Sequence, residues 1–194
     1  MTDGVVSLLA GFISYYSITG EVVRPQQALL NGGKPYFTCY KSSDGKYVSI
    51  GCIEPWFWAE LCRALGREDL TSHQNVEGDK KQWLFSELQR IFLTKTRDEW
   101  FDLLSQSDIC VGKVYSLDEL DSDPQLRHRK MLVEIDQPKV GRVKQVGVAP
   151  KLSDTPGEIR SPAPRRGQHT DEVLHGLGYS PKQIQELRQA AVVA

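Results

Sequence analysis

The stretch YFTCYKSSDGKYVSI, residues 36–50, decides how the chain folds. Residues 36–40 and 46–50 are each rich in the aromatic and β-branched side chains that favour extended strands. Between them stand two serines, an aspartate and Gly45, and glycine tolerates the positive φ angle that many tight turns need. We therefore predict a β-hairpin here, with the other elements arranged around it.

Three helices are predicted after the hairpin. Pro55 suits the first turn of a helix over 56–65, where the backbone N–H groups have no partner inside the helix. A helix over 80–93 has a regularly spaced apolar face, and one over 96–105 opens with the residue spacing of a capping box. The remaining predictions are a strand over 109–115 interrupted at Gly112, short helices after Ser116 and from Asp123, strands over 131–135 and 143–148, and helices over 170–177 and 180–190.

The two ends of the chain set the predicted limits of the domains. Residues 3–18 have helical periodicity and are apolar almost all round, so this helix needs burial on more than one side, which is unusual at a true N-terminus. Residues 149–168 hold four prolines and two glycines, which is typical of a linker. We predict an α+β chain with a joining segment at 1–30, a small α/β domain at 31–148 and a C-terminal helical extension at 149–194.

Composition and charge argue against several classes of function. The 24 basic and 25 acidic residues leave a net charge of −1, so no basic stripe is available for a nucleic-acid backbone. The apolar runs are far shorter than the roughly 20 residues of a membrane span, and no basic region marks a signal peptide. The four cysteines form no CxxC pair and have no histidine at zinc-ligand spacing. We expect buried thiols, no metal, no nucleic-acid or membrane partner, and a cytoplasmic, reducing location.

Six strings stand in order along nearly the whole chain. They are Gly33-x-Pro35-Tyr36-Phe37, Gly51-x-Ile53-Glu54-Pro55, Thr94-Lys95-Thr96-Arg97-Asp98, Asp108-Ile109-Cys110-Val111, Asp123-Pro124-Gln125 and Ala149-Pro150-Lys151-Leu152. Together they resemble the C-terminal portion of family III CoA-transferases, the CaiB/BaiF family. The Ile-Glu-Pro and Asp-Ile-Cys-Val strings resemble the α-methylacyl-CoA racemase branch more than the oxalate-type transferases.

The resemblance implies an architecture larger than this chain. Members of the family have a large doubly wound α/β domain, a small α/β domain and a C-terminal segment that returns to the large domain. Two such chains interlock as a dimer. The large domain would precede this sequence, which agrees with the unusually apolar first helix. The implied partners are an acyl-CoA and a large domain of the same family or a second copy in the interlocked dimer. Coenzyme A enters as part of the substrate, and no other cofactor is expected.

Glu54 is the first candidate for catalysis. In the racemase branch, the matching glutamate is one of two bases that exchange the α-proton of an acyl-CoA thioester, one on each face of the α-carbon. The start of a helix favours the charged carboxylate, whereas Trp56, Phe57 and Trp58 could desolvate it, and the sequence leaves open which effect prevails. A purely structural role as a helix cap is the alternative for Glu54.

The same resemblance implies a group of substrate-binding residues, namely Phe37, Tyr36, Ile53, Gly32 and Gly33. Racemases tend to have tyrosine at the position of Phe37, so here the aromatic ring is kept while the hydroxyl donor is lost. The two glycines could let a thioester approach the backbone, or could simply form a turn.

Three functions remain open. The chain could be part of a racemase in which Glu54 is a base, part of a CoA-transferase whose nucleophilic aspartate lies in the large domain, or a non-catalytic remnant or interaction module. The second base of the racemases, a His–Asp pair in the large domain, has no substitute here, because the four histidines fall in no string that resembles that site. We therefore expect the isolated chain to be inactive.

Overall fold

The computed structural model describes residues 1–138 and 140–193, which divide into two compact units, residues 1–116 and 117–194. The predicted α+β class is confirmed, since each unit combines a small antiparallel sheet with short helices. The division into a joining segment, a small domain and a C-terminal extension stays a prediction.

The first unit is fully described, and its elements follow one another closely. In chain order they are α1 (Thr2–Leu8), α2 (Ala10–Thr19), a 3₁₀ turn (Leu29–Asn31), β1 (Phe37–Lys41), β2 (Tyr47–Gly51), α3 (Pro55–Ala64), a 3₁₀ helix (Glu68–His73), α4 (Asp79–Phe92), α5 (Arg97–Leu104) and β3 (Val111–Val114). The three helices predicted after the hairpin are therefore present.

The predicted hairpin is confirmed. β1 and β2 pair antiparallel, with Phe37 opposite Gly51. Gly45 lies in the turn with a φ angle of 81°, and its N–H donates to the Ser42 carbonyl at 3.0 Å. This left-handed conformation is strained for a residue with a side chain, so glycine is the residue that the turn requires.

β3 pairs with the free edge of β2, which gives the sheet order β1-β2-β3. The predicted interruption at Gly112 is wrong, because Gly112 pairs opposite Ser49 inside an unbroken strand. A Cβ atom at position 112 would lie only 2.9 Å from the Ser49 hydroxyl oxygen. A side chain at position 112 would require the Ser49 hydroxyl to move, and the glycine is accommodated inside the strand without ending it.

The core lies on one face of this sheet. Tyr40, Val48 and Ile50 point toward the helices, and each exposes 4% of its surface or less. The Tyr40 ring stacks on Phe92 of α4 with 4.9 Å between ring centroids. The helices contribute further buried side chains, among them Trp58, Leu61, Leu84, Leu88, Trp100 and Leu104. Burying each large apolar side chain stabilises the unit by roughly 1.5–3 kcal/mol before entropy is counted.

Two polar arrangements fix α5. Thr96 and Glu99 form the predicted capping box: the Glu99 N–H donates to the Thr96 hydroxyl at 3.3 Å, and the Thr96 N–H donates to the Glu99 carboxylate at 2.8 Å. Arg97 is buried, donates to the Val114 carbonyl at 3.0 Å and pairs with Asp98 at 3.0 Å. A buried guanidinium requires such partners, and this one ties α5 to β3.

The N-terminal segment forms two helices, where the sequence predicts one. Leu9, with φ −90° and ψ 5°, leaves helical geometry and separates α1 from α2, while Gly20 ends α2 in the left-handed conformation. Neither helix has a buried residue, and Leu8 and Phe12 expose 84% and 40% of their surfaces. The burial that this apolar sequence needs is not supplied within the described part of the chain.

All four cysteines are free thiols. The prediction that they are buried is confirmed for Cys52 and Cys62 and is wrong for Cys39 and Cys110, which are exposed. In β1, side chains alternate between the two faces of the sheet, and Tyr40 takes the inner face. Cys39, its neighbour in sequence, must therefore lie on the outer face.

The second unit is described over residues 117–138 and 140–193. Its elements are a 3₁₀ helix (Leu117–Ser122), α6 (Pro124–His128), β4 (Leu132–Gln137), β5 (Gly141–Val146), α7 (Thr170–Gly176) and α8 (Pro181–Gln189). β4 and β5 pair antiparallel. The segment 149–168, described throughout, contains no helix or strand, which agrees with the predicted loop.

Trp58 tests how α3 is held in the first unit. Its indole N–H donates to the carbonyl oxygens of Leu70 and Thr71 at 3.2 and 3.0 Å, and only 1% of the residue is exposed. Trp58→Phe keeps an aromatic ring but leaves these carbonyls without their donor and opens a cavity. We expect the free energy of unfolding, measured by urea titration with circular dichroism, to fall by about 1–3 kcal/mol.

Trp56→Phe is the matched control. Trp56 lies on the same helix with 61% of its surface exposed, so its replacement should change stability by less than about 0.5 kcal/mol. Equal losses of stability in the two variants would contradict the role assigned to Trp58.

The exposed apolar surface of α1 and α2 predicts that the chain self-associates. Light scattering after size exclusion should give a mass above the 21.9 kDa of one chain. Leu8→Asp combined with Phe12→Asp should restore the monomer, because burying two new charges is costly. Ser7→Asp with Ser17→Asp adds the same charges at exposed polar positions and should leave the association unchanged. A monomeric unmodified chain would count against this prediction.

Candidate functional site

Glu54 occupies the junction between the central strand and the first helix of the core. β2 ends at Gly51 and α3 begins at Pro55, so Glu54 is the N-cap residue, with extended φ and ψ angles of −71° and 140°. Its carbonyl accepts the first helical hydrogen bond, from the Trp58 N–H at 3.1 Å. Among the described residues, its side chain makes no capping bond to α3, and the residue is half-buried. The helix is therefore capped by the backbone, and the carboxylate is left for other contacts.

The backbone before Glu54 is held from two directions. The Cys52 N–H donates to the Tyr36 carbonyl at 2.8 Å, which extends the pairing of the hairpin beyond the end of β2. The buried side-chain amide of Gln74 donates to the carbonyls of Cys52 and Ile53 at 3.2 and 2.8 Å. Both peptide units that lead to Glu54 are thereby anchored to the core.

Gly51, three residues before Glu54, donates its N–H to the Cys110 carbonyl at 2.9 Å, and this bond ties Cys110 to the end of β2. Partial burial raises the pKa of the exposed Cys110 thiol above its ordinary value, and the negative charges of Glu54 and Asp108 raise it further. Cys52 lies beneath, fully buried, and burial raises the pKa of its thiol to about 12. Both cysteines are therefore protonated and weakly nucleophilic near neutral pH.

A groove of about 770 Å³ lies on the outer face of the sheet. Its lining in the described part of the chain includes Cys110, Phe37 and Gly51, whereas Glu54 is not one of the lining residues. Gly51 and Gly112 carry no side chain on this face, and the Phe37 ring and the Ser49 hydroxyl lie over them. The volume is in the range of small-molecule sites, and the lining is predominantly apolar.

The predicted substrate-binding residues fall into two environments. Phe37 and Gly32 line the groove, whereas Tyr36 is buried in the core and Ile53 packs against it. Gly33 approaches the backbone of its own loop: a Cβ atom there would lie 2.6 Å from the carbonyl oxygen of Ala28. The packing of this loop accounts for Gly33, so Gly32 is the glycine that borders the groove.

His73 is the histidine of the first unit, and its contacts are with residues other than Glu54. Its Nδ1 atom lies 3.2 Å from the Asp69 carbonyl, and its ring packs on Trp83 at 5.6 Å between centroids. Across the described residues, no group of three or more His, Cys, Asp and Glu side chains could hold a metal ion. The same residues include no helix that is both long enough and apolar enough to cross a bilayer.

Sequence reasoning does not identify two residues of this site. Gln74 follows a 3₁₀ helix and bonds backbone carbonyls 21 and 22 positions earlier, and a glutamine in a polar segment carries no signal for such a long-range contact. Cys110 stands in a string that resembles the family, but its nearness to Glu54 depends on the pairing of β3 with β2. That pairing brings the start of β3 beside the end of β2.

Comparison with known proteins relates this geometry to one family. The family model of CoA-transferase family III matches residues 1–170. The mouse α-methylacyl-CoA racemase is 30% identical over 168 residues, which cover 86% of this chain and 43% of the racemase. A formyl-CoA:oxalate CoA-transferase from Rhodopseudomonas palustris is 32% identical in an alignment that covers 100% of this chain and 52% of the transferase.

A solved structure extends the likeness to the fold. The crystal structure of a CaiB/BaiF family protein from Brucella suis superposes with a TM-score of 0.67 at 19% identity, over 88% of this chain and 45% of that one. The chain thus spans about half the length of the relatives that it matches. Since the family model covers most of its residues, the chain belongs to CoA-transferase family III.

Proposed function

We propose that this chain contributes Glu54 as a base to an enzyme that exchanges the α-proton of a 2-methylacyl-CoA thioester. The observation that supports this most directly is that, within the described residues, the Glu54 carboxylate is not used to cap its helix. Among the described residues it makes no capping bond to α3, and its charge acts on the thiol of Cys110, which lines an apolar groove. A carboxylate that is free of capping and close enough to influence a groove with room for an acyl group is suited to remove a proton from the α-carbon.

The chemistry needs a second group. Glu54 takes the α-proton and leaves an enolate, and inversion requires that an acid on the opposite face return a proton to the same carbon. In the first unit His73 is bound to the Asp69 carbonyl and to Trp83, away from Glu54. We propose that the second group belongs to a large domain of the same family, in a longer protein or a second chain of an interlocked dimer. The thioester is substrate, and the proton transfer needs no further cofactor.

CoA transfer between carboxylic acids is the alternative function, and Phe37 favours it. Phe37 lines the groove without a hydroxyl group, where racemases tend to have a tyrosine. In this mechanism an aspartate of the large domain attacks the thioester and carries the acyl group, while Glu54 is structural. The curated relatives include both a racemase and transferases, so the family alone does not separate the two reactions.

The purified chain should show no α-proton exchange by itself. Incubated with a 2-methylacyl-CoA in D₂O and followed by proton NMR, it should leave the α-proton signal unchanged, because in this proposal the large domain that completes the active site is absent from the sample. Addition of a separately purified large domain from a racemase of the family should start deuterium uptake. Uptake by the chain alone would show that the described residues suffice, and no uptake in the mixture would favour a non-catalytic remnant.

Glu54→Gln should separate racemase from transferase in the reconstituted mixture. If Glu54 is a base, the variant should lose at least about 100-fold in exchange rate while its circular dichroism stays unchanged. Glu60→Gln, on the same helix, is the matched control and should keep full activity. Should the Glu54 variant, mixed instead with the large domain of a transferase of the family, move CoA from one carboxylic acid to another at the unmodified rate, the transferase alternative would be supported and Glu54 would be structural.

A further inference from the structure

Gln74 is a buried polar residue that forms hydrogen bonds with the backbone of the two residues before Glu54. Only 7% of its surface is exposed, and it lies at the end of the 3₁₀ helix Glu68–His73. Its side-chain nitrogen donates to the carbonyl of Cys52 at 3.2 Å and to the carbonyl of Ile53 at 2.8 Å. A buried amide with two successive carbonyls as partners fixes the orientation of both peptide planes, and these planes set the direction in which Glu54 leaves the strand.

The attachment of the 3₁₀ helix to α3 does not depend on these two bonds. Trp58 donates to the carbonyls of Leu70 and Thr71, and Leu70 is itself fully buried in the core. Gln74 is therefore not needed to keep the two segments together. Its two hydrogen bonds instead fix the backbone between the end of β2 and the start of α3.

We propose that Gln74 is the positioning residue of Glu54, and that it sets the place of the carboxylate by fixing the Cys52 and Ile53 carbonyls. The functional meaning of this inference rests on the proposed role of Glu54 as a base, but the geometric statement does not. It can therefore be tested without any catalytic assay.

Cys110 provides the readout. The Glu54 charge is one of the causes that raise the pKa of this exposed thiol, after partial burial and together with the charge of Asp108. Replacing Cys39 with serine leaves Cys110 as the exposed thiol, since Cys52 and Cys62 are buried. In that background, the rate of Cys110 alkylation by iodoacetamide against pH, measured on the folded chain by mass spectrometry, reports how near the Glu54 carboxylate is.

The expected pattern involves two variants and their combination. Glu54→Gln removes the charge, so the midpoint of the alkylation profile should move to lower pH. Gln74→Leu should move it in the same direction, because the released backbone lets the carboxylate leave the thiol. In the Glu54→Gln background, Gln74→Leu should add no further shift, which separates an effect through Glu54 from general loosening.

Gln89→Leu is the matched control. Gln89 also bridges the backbone, donating to the Lys41 carbonyl at 2.8 Å and accepting from the Lys41 N–H at 3.2 Å, but it does so at the far end of the hairpin. Its replacement should leave the Cys110 profile where it is. Because leucine at position 74 could impair folding, Gln74→Met serves as a second uncharged variant of similar size that lacks the amide donors.

Several outcomes would overturn the proposal. One is an unmoved profile in a folded Gln74 variant, and another is a Gln74 shift that persists when Glu54 is glutamine. An unmoved profile in Glu54→Gln would show that the carboxylate is not held beside the thiol. Loss of folding in both Gln74 variants would make Gln74 a structural residue only. None of these experiments measures proton exchange, so the catalytic role of Glu54 is tested separately by the exchange assay.

Discussion

The pairing of β2 on both of its edges is the constraint on which the site depends. β1 binds one edge and β3 the other, and Val48 and Ile50 fill the core from the inner face. Because side chains alternate along a strand, a slip of one residue would bring Ser49 inward and expose these two apolar side chains. The register is therefore strongly determined, and it fixes the point at which the chain leaves the sheet toward Glu54.

The same pairing explains what the sequence could and could not predict. The hairpin, the capping box at Thr96 and the helix start at Pro55 were predictable because each depends on residues within a few positions of one another. The predicted break at Gly112 is wrong because the residue pairs opposite Ser49, which lies 63 positions earlier in the sequence. Local rules associate glycine with turns, whereas Gly112 lies inside a strand, close to the side chain of Ser49.

The candidate site divides in a similar way. Glu54 could be selected from the sequence because its string resembles a family motif, but its surroundings depend on contacts between distant segments. Gln74, which follows α3, donates to the carbonyl of Ile53 just before Glu54. Cys110 immediately precedes β3, and the pairing of β3 with β2 places it next to Gly51. Tyr36 resembles a site residue in sequence, yet its ring belongs to the core and it is its carbonyl that supports the site. Motifs identify residues, whereas backbone partners become visible only in the fold.

The groups that hold position 54 contact the backbone and not the carboxylate. The Tyr36 carbonyl and the Gln74 amide bind the peptide units before it, and the carbonyl of residue 54 starts α3. A scaffold of this kind would present whatever side chain stands there at the same place beside the groove. The chemistry of that place can then change by substitution at the site, for example at Phe37, without changing the fold. Such independence of scaffold and side chain is a physical reason why one family can include both racemases and transferases.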